Sequence, residues 1–365
     1  MEVPRFANHK ALNRQLILRI LVLITCAMAC VLSGHALSFS LDSIAAWGKF
    51  PRFCIDVYRW GDGFFNGYDT TYVEGTGYKF NGKVRSETLL DSYQFYLPDD
   101  VRMTMHSKPS TTIGAWLTYL AVSGGYDKNV SKLFGNPEIK SREQFSFGFN
   151  CSLFTFNMQF LKNTGGVNIT RFGPKGTHFS PNIPFNGLKT KSFGFDAFYF
   201  FNHKKYSQAA AFNFSRIQIK SQGSFLAGVS FTNQNFDFDF NALPIYIKDA
   251  LPDTWADHKY VANTKNIGIK VGYGYNWVFR PGWLIGISEA PTVGLKIGKI
   301  NNPNKTSTNV AFSNQFRLSV IWNHREWFAG LISELNTALA YDKDSAFQNN
   351  TFNISISAGY RFNLW

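Results

Sequence analysis

Residues 352–364 of this chain read FNISISAGYRFNL, and this stretch decides the fold. Its apolar side chains, from Phe352 to Leu364, occupy every second position, and Asn, Ser, Gly and Arg fill the positions between them. Such alternation is typical of a β-strand with one apolar and one polar face. The stretch is longer than the roughly 9–11 residues with which a tilted strand crosses a bilayer. It therefore predicts a transmembrane β-strand.

The same alternation recurs upstream and predicts an all-β fold, a transmembrane antiparallel β-barrel of about 12 strands with a range of about 10 to 14. Short polar turns such as residues 202–205 and 280–282 join several strands, and longer connections cover residues 163–190, 237–265 and 341–350. Short turns on one rim and long loops on the other are typical of outer-membrane barrels. The predicted strands lie near residues 111–117, 119–126, 143–150, 153–162, 191–201, 206–219, 223–236, 266–278, 283–299, 309–322, 326–340 and 351–365.

The strand count contains one conflict. If the connections 163–190 and 237–265 both lie outside the cell, an even number of strands must separate them, and three are predicted. Either residues 221–223 are a bulge within one long strand, or one of the two connections faces the periplasm.

Composition favours a barrel but does not establish it. Aromatic residues make up 17% of the chain and charged residues only 17%, where soluble domains carry about 25% charged residues. Mean hydropathy is −0.15, which indicates apolar residues diluted by polar ones. A soluble β-sandwich shares this pattern. Beyond residue 36 no run of 18 apolar residues occurs, so the sequence excludes a helical membrane protein.

Aromatic residues beside the predicted turns predict an aromatic girdle at the membrane interface. Packing at the end of a soluble sandwich is the alternative. The residues concerned are Trp277, Trp283, Trp322, Trp327 and Tyr206.

The first 36 residues predict a cleaved signal peptide. A basic start is followed by the apolar run 20–32 and by small residues at 34–36, which is the order of a secretory signal. An uncleaved anchor is the alternative, although the run is shorter than the roughly 20 residues that a spanning helix needs. Cleavage removes four basic residues and one acidic residue and lowers the net charge from +13 to about +10. Residues 37–110 are then a lead-in that can include the first strand, and residues 111–365 are the barrel.

Two cysteines remain after cleavage, Cys54 and Cys151. They can pair in an oxidising compartment, but they lie on different segments, and two free thiols are the alternative. No Cys or His cluster has metal-ligand spacing, so we expect neither a metal nor a cofactor.

Three stretches carry a resemblance to a known family: residues 206–212 (YSQAAAF), 221–228 (SQGSFLAG) and 272–278 (GYGYNWV). The C-terminal residues 360–362 (YRF) resemble the terminal aromatic signal of secreted outer-membrane barrels in general. Over roughly residues 50–365 the chain resembles an uncharacterised domain-of-unknown-function family of Bacteroidetes outer-membrane β-barrel proteins. The resemblance implies the barrel fold and an outer-membrane location. It implies no activity and no catalytic residue. The terminal aromatic strand is similar to the signal that the barrel assembly machinery reads.

The connection 163–190 contains the sharpest candidate for chemistry. His178 and Ser180 are two positions apart, so on a strand their side chains face the same way. A base beside a hydroxyl is the minimum for nucleophilic acyl hydrolysis, here of lipids. Pro181 interrupts such a strand, no orienting carboxylate can be assigned, and a polar loop is the alternative.

The same connection and its flanks carry five basic residues and no acidic residue. Basic side chains bind phosphate, and on the outer surface the available phosphates are those of lipopolysaccharide. An ordinary solvated loop is the alternative. The candidate ligand-binding residues are Lys162, Arg171, Lys175, Lys189 and Lys191.

Three functions remain open from the sequence. The preferred one is a structural or surface-binding barrel in contact with outer-membrane lipid and lipopolysaccharide, without enzyme activity. The alternatives are a narrow, porin-like solute channel or transporter and a lipid hydrolase that uses His178 and Ser180. A barrel of about 12 strands lies between the sizes that are filled and the sizes that are open. Nucleic acid is not an expected partner, because no recognition module accompanies the sequence pI of about 9.5. Strand positions expected to line the lumen include Asn314, Arg317, Ser333, Glu334, Asn336, Arg361 and Asn363.

Overall fold

The computed structural model of the protein describes residue 52 and residues 67–97, 100–131, 142–163, 166–174, 182–249, 251, 259–300, 306–342 and 345–363. The chain divides into two compact units, one of residues 60–362 and one of residues 1–59 with 363–365. The first unit contains all the elements named below. The signal peptide predicted over residues 1–36 lies outside the described residues, and so does Cys54.

The described residues form seventeen strands and two short α-helices. No helix among them is long and apolar enough to cross a membrane. The helices are α1 (Gln208–Phe212) and α2 (Ile245–Lys248), with a 3-10 turn at Phe240–Ala242. The strands are β1 (Val73–Gly75), β2 (Phe80–Tyr96), β3 (Val101–Ser107), β4 (Ser110–Tyr119), β5 (Val122–Asn129), β6 (Arg142–Asn150), β7 (Phe154–Asn163), β8 (Val167–Pro174), β9 (Ile183–Phe185), β10 (Leu188–Phe200), β11 (Arg216–Gln218), β12 (Gln222–Asp239), β13 (Lys259–Arg280), β14 (Trp283–Ile300), β15 (Thr306–Asn323), β16 (Trp327–Asp342) and β17 (Ser345–Phe362).

Twelve of these strands form a closed antiparallel barrel in the order β2, β4, β5, β6, β7, β10, β12, β13, β14, β15, β16 and β17, and β17 pairs with β2 to close the ring. The predicted fold class is confirmed, and so is the number of strands. The C-terminal strand has the two faces that its alternation predicts. On β17, Ile356 is 64% exposed, whereas Ser357 and Arg361 are buried.

One predicted strand is wrong, and the first wall strand lies within the predicted lead-in, which the sequence analysis allowed to include it. Residues 206–219 contain α1 and β11 instead of a wall strand, and β2, from within residues 37–110, takes the vacant place in the ring. The two long connections, after β7 and after β12, are therefore separated by two strands, β10 and β12, and not by three. With this even number, both connections lie on the same side of the barrel. Residues 341–350 are not a long connection, because β16 reaches Asp342 and β17 begins at Ser345.

The outer wall carries an apolar belt. On β13 the outward residues Ile267, Ile269 and Val271 are between 55% and 70% exposed, and Val229 of β12 and Val293 of β14 continue the belt on either side. In a bilayer a closed barrel satisfies every backbone group within the ring, and an apolar belt of this kind faces lipid. The protein is a bacterial outer-membrane barrel, and barrels of this class have their short turns on the periplasmic side and their longer loops outside.

Strands β2, β12, β13 and β17 have 17 to 22 residues, well above the length that crosses the membrane. Their loop-side ends stand above the bilayer, and the alternation inverts there. Along β12 the inward side chains change from polar, as at Thr232, to apolar, as at the buried Phe236 and Phe238. The outward side chains change from apolar, as at Val229, to polar, as at the exposed Asn235. These ends have the pattern of a water-soluble β-structure, with the apolar side inward.

We call the apolar core that these ends enclose the cap. The sheet continues from β2 into β3, β8 and β9, and the connection after β12 adds the 3-10 turn and α2. Together these elements bury one hydrophobic cluster at the loop side of the barrel. Its larger members include Phe95, Met103, Met105, Phe236, Phe238 and Tyr260.

We call the connection between β10 and β12, residues 201–221, the plug. The other turn-side connections are tight turns of two or three residues, but the plug folds back into the lumen. Ser207 caps α1 by accepting a hydrogen bond from the backbone N–H of Ala210. Phe212 and Phe214 pack against the inward residue Ile321, and β11 pairs with β1. The plug therefore fills the turn-side end of the barrel.

Candidate functional site

The chamber is the cavity of about 510 Å³ inside the barrel. Its wall is polar over most of the barrel height, as expected for the lumen of an outer-membrane barrel. Six strands contribute charged side chains to it. These are Lys83, Arg85, Glu87, Asp91, Asp196, Lys270, Lys296, Arg317 and Glu334.

Most of these charges are paired with one another. Arg85 donates to both carboxylate oxygens of Asp127, at 3.2 and 2.5 Å, and its Nη2 lies 3.3 Å from Glu87. Trp116 Nε1 donates to the same Asp127 carboxylate at 3.3 Å. Buried charges are tolerated when they are paired and hydrogen-bonded, so these pairs explain how the wall carries so many. Two further ion pairs are Lys270–Asp196 and Arg317–Glu334.

Cations of the wall also hold the aromatic side chains of the plug. Lys83 Nζ lies 5.3 Å from the ring centre of Phe214, and the guanidinium of Arg317 lies 3.9 Å from that of Phe212. Both distances are within the range of a cation–π interaction. The plug is therefore attached to the wall by the same residues that carry the charge of the chamber.

Arg361 of β17 ties the plug to the C-terminal strand. Its Nη2 donates to the backbone oxygen of Phe214 and to Asn323 Oδ1, both at 2.5 Å, and its Nη1 donates to the backbone oxygens of His324 and Arg325 at 2.8 Å. The side chain is 1% exposed. Because a buried guanidinium requires acceptors, the plug carbonyl is part of what stabilises the burial of Arg361.

Aromatic side chains of the cap meet across the loop-side end of the barrel. The ring of Phe95, on β2, lies 4.9 Å from that of Phe347 on β17 and 5.8 Å from that of Tyr260 on β13. Strand β13 is on the far side of the ring from β2. Phe347 in turn lies 4.9 Å from Phe236 of β12. Aromatic contacts thus bridge opposite walls above the chamber.

A second candidate site, which we call the basic groove, lies on the outer wall at the loop-side ends of β7 and β10. Lys162 and Lys191 stand directly opposite each other in the ladder, and Phe160 and Phe193 are opposed two residues closer to the turn side. Lys189 follows on β10, opposite Asp237. These lysines are exposed. The groove has a volume of about 630 Å³, and its outward lining consists of Tyr126, Phe145, Phe160, Lys162, Lys191, Phe193, Asn233 and Asn235.

The structure brings together three of the five basic residues that the sequence singles out, namely Lys162, Lys189 and Lys191. Arg171 is elsewhere, exposed on β8 and opposite Thr104 of β3. The remaining basic residue and the predicted hydrolase pair, Lys175, His178 and Ser180, lie outside the described residues.

Several lumen and girdle predictions are corrected. Arg317, Glu334 and Asn336 line the chamber as predicted. Ser333 faces outward instead, since it stands opposite the lipid-facing Ile354 in the ladder. Tyr206 is no girdle residue, because it is fully buried within the barrel. Burial also raises the pKa of Tyr206. The Trp277, Trp322 and Trp327 side chains are exposed near the turn-side ends of their strands.

Asn314 also faces outward, and it reveals a polar pair that the sequence analysis missed. It stands opposite Pro291 of β14, and its Nδ2 donates to the exposed carboxylate of Glu289 at 3.0 Å. On its own strand Glu289 follows the outward Ile287 and precedes the outward Val293. The sequence does indicate this pair, because Glu289 is a charged residue at one of the alternate positions that are otherwise apolar in the predicted strand 283–299.

The cap is the other missed feature. Its signal is a run of aromatics in the inward phase, as in Tyr93-Gln94-Phe95 and in residues 236–240 (FDFDF). From the sequence alone, these alternating aromatics are equally compatible with the lipid-facing side of a transmembrane strand. Only the register shows that they point inward.

Cys151 is a free, buried thiol in the turn between β6 and β7. It donates to the backbone oxygen of Phe154 at 3.2 Å, and burial raises the pKa of the thiol. In the part of the chain that the structure describes, no group of three or more His, Cys, Asp or Glu side chains is placed to hold a metal ion.

A family model described as a domain of unknown function (DUF4421) matches residues 67–362. No curated protein matches the chain.

Three solved structures illustrate its similarity to known barrels. The outer membrane protease OmpT from Escherichia coli is 7% identical, with a TM-score of 0.34 over 78% of this chain and 96% of that one. An outer membrane channel from Pseudomonas putida F1 is 10% identical, with a TM-score of 0.32 over 77% and 96%. The Pseudomonas putida toluene transporter TodX is 8% identical, with a TM-score of 0.25 over 81% and 98%. At these scores the similarity carries no inference about activity.

Proposed function

The chain belongs to the DUF4421 family, a domain of unknown function, and from this premise we propose that it is a sealed surface barrel, which passes no solute in its resting state and acts through its outer surface. It is not an enzyme in this proposal. The single observation that carries the proposal is the cap, in which Phe95 contacts aromatic rings from opposite walls of the barrel. The plug supports it from the turn side, where Arg361 and Lys83 bind its backbone and its aromatic side chain.

An apolar core is an effective seal because it excludes water. A hydrated ion that crosses the cap must leave water for a packed aromatic environment, and charged groups enter such surroundings only at a large free-energy cost. Protein cores contain few voids larger than one water molecule. The polar chamber beneath the cap is therefore closed to the outer medium.

Conductance in planar lipid bilayers tests the proposal. The wild-type protein, reconstituted after its unboiled gel band has shown it to be folded, is expected to give no conductance steps at any voltage of either sign. A variant that lacks both seals serves as the positive control. It replaces residues 203–219 by a short Gly-Ser turn and carries Phe95→Ala and Phe238→Ala, and we expect it to conduct. Regular steps from the wild-type protein would overturn the proposal.

A narrow solute channel or transporter is the second candidate, and the charged chamber of about 510 Å³ favours it. It requires both seals to move. The lipid hydrolase stays a prediction on His178 and Ser180, to be tested by the loss of lipid deacylation in Ser180→Ala.

The proposal also includes three more specific predictions from the sequence. They are the aromatic girdle formed by the turn-side tryptophans, recognition of the C-terminal strand by the barrel assembly machinery, and contact with lipopolysaccharide. The signal peptide and the origin in Bacteroidetes stay predictions.

A further inference from the structure

We propose that the basic groove binds a phosphorylated lipid of the outer leaflet, with the phosphate between Lys162 and Lys191 and an acyl chain against Phe160 and Phe193. The phosphorylated lipid of that leaflet is the lipid A anchor of lipopolysaccharide. This inference rests on the proposed function, since it names what a sealed barrel binds on its outer wall.

The groove lies at the height where the apolar belt ends. On β12, Phe231 is the last apolar outward residue, and it stands opposite Phe195 of β10. Four residues further along the strand, Asn235 stands opposite Lys191. The lysines are therefore just above the hydrocarbon, where lipid headgroups begin, and the phenyl rings are just inside it.

The row of opposed residues at the lysine pair carries more positive than negative charge. Glu143 of β6 stands opposite Lys162 on one side and opposite Lys128 of β5 on the other, and Lys191 adds a third lysine to the row. Directly opposed residues of an antiparallel pair have Cβ atoms about 4.5–5.5 Å apart, and like charges in such a pair destabilise the sheet. Lys191 makes no ion pair with any residue that the structure describes. A phosphate placed between the two ammonium groups converts this repulsion into two charge-assisted hydrogen bonds.

The shape of the groove fits a lipid better than a free anion. Half of its outward lining is aromatic, namely Tyr126, Phe145, Phe160 and Phe193. A bare phosphate makes no use of these rings, whereas an acyl chain packs against them. A volume of about 630 Å³ is also much larger than a phosphate requires.

The basic groove is confined to one side of the barrel. Along β15, β16, β17 and β2, the outward positions that the structure describes carry no Lys or Arg. Other outward lysines are Lys128 of β5, Lys265 of β13 and Lys299 of β14, and none of them has a second lysine directly opposite it in the ladder. Among the described residues of the outer wall, the groove is thus where two ammonium groups are directly opposed, as binding of one phosphate between them requires.

Binding of purified, bisphosphorylated lipid A to the detergent-solubilised protein, measured by native mass spectrometry, tests the inference. Lys191→Glu is expected to lower the affinity by about tenfold, because it replaces a charge-assisted bond by repulsion. Lys299→Glu is the matched control, since Lys299 is exposed on the outward face of β14, three strands from Lys191. The affinity of the Lys299→Glu variant for lipid A is expected to stay within about twofold of that of the wild type. Lys191→Gln replaces the glutamate variant if that variant does not fold.

Two ligand arms separate the phosphate from the lipid. Removal of the phosphates from lipid A is expected to weaken its binding to the wild type. The loss should be at least as large as the loss that Lys191→Glu causes with bisphosphorylated lipid A. Inorganic phosphate at millimolar concentration is expected not to displace lipid A. Equal binding by Lys191→Glu and wild type overturns the site, and displacement by inorganic phosphate overturns its assignment to a lipid.

The two proposals fail separately. A protein that conducts but retains Lys191-dependent lipid binding contradicts only the sealed barrel. A silent protein whose lipid binding is indifferent to Lys191 contradicts only the groove.

Discussion

At the scale of single residues, Glu289 is the exception on the lipid-facing wall. Its carboxylate is exposed among apolar neighbours, and it accepts a hydrogen bond from Asn314. An ionisable group that faces hydrocarbon lowers stability, and one hydrogen bond offsets only part of that loss. Glu334 is the same residue type in the opposite setting, because it faces the chamber and pairs with Arg317.

These settings predict opposite effects of one substitution. Glu289→Leu is expected to raise the free energy of unfolding by about 1 kcal/mol, because it removes a polar group from the lipid face. Glu334→Leu is expected to lower it by about 3 kcal/mol, because Arg317 is left without its carboxylate partner. Guanidinium unfolding of the protein in lipid vesicles measures both. A loss of stability in both variants would show that Glu289 does not face lipid.

At the scale of elements, the plug shows how a local pattern can mislead. Residues 206–219 contain enough apolar residues at even spacing to be read as a strand. However, Ser207 is a good helix N-cap, and the three alanines after Gln208 favour a helix. The capping residue and the alanines are local signals for α1, and they outweigh the strand period of the same residues.

The bonds of Arg361 make the plug an integral element of the barrel. Arg361→Met is expected to lower the free energy of unfolding by about 3 kcal/mol, because the buried carbonyl oxygen of Phe214 and two part-buried carbonyl oxygens of the turn 324–326 lose their donor. Arg280→Met is the matched control, since Arg280 is exposed at the turn-side end of β13. We expect the control to change stability by less than about 0.5 kcal/mol. Equal stability of the two variants, measured by the same unfolding assay, would mean that the plug is not held by Arg361.

At the scale of the whole molecule, closure of the ring depends on β2, the wall strand that lies within the predicted lead-in 37–110. Between Phe80 and Leu89 this strand pairs with β17 on one side and β4 on the other. A proline in the middle of such a strand removes a ladder hydrogen bond and is not tolerated away from an edge.

Gel migration of the unboiled protein reports on closure. The wild type and Ser86→Ala are expected to migrate faster unboiled than boiled, as a closed barrel that resists detergent does. Ser86→Pro is expected to lose this difference, because residue 86 lies between two paired strands. A heat-dependent shift that persists in Ser86→Pro would place β2 at an open edge and contradict the closed ring.

The sequence by itself determined eleven of the twelve strands of the wall, the two faces of β17 and the outer-membrane location. The physical reason is that side chains alternate along a strand with a period of two, so a strand between lipid and lumen records both environments locally. The lysines above Phe160 and Phe193 were also visible as a basic segment. Only the tertiary structure decided that aromatic side chains meet across the loop-side end of the barrel. Whether Phe95 or Phe236 faces lipid or closes the mouth depends on where each strand leaves the membrane and on which strands meet across the lumen. Contacts between β2 and β12, more than a hundred residues apart, leave no periodic trace in either strand.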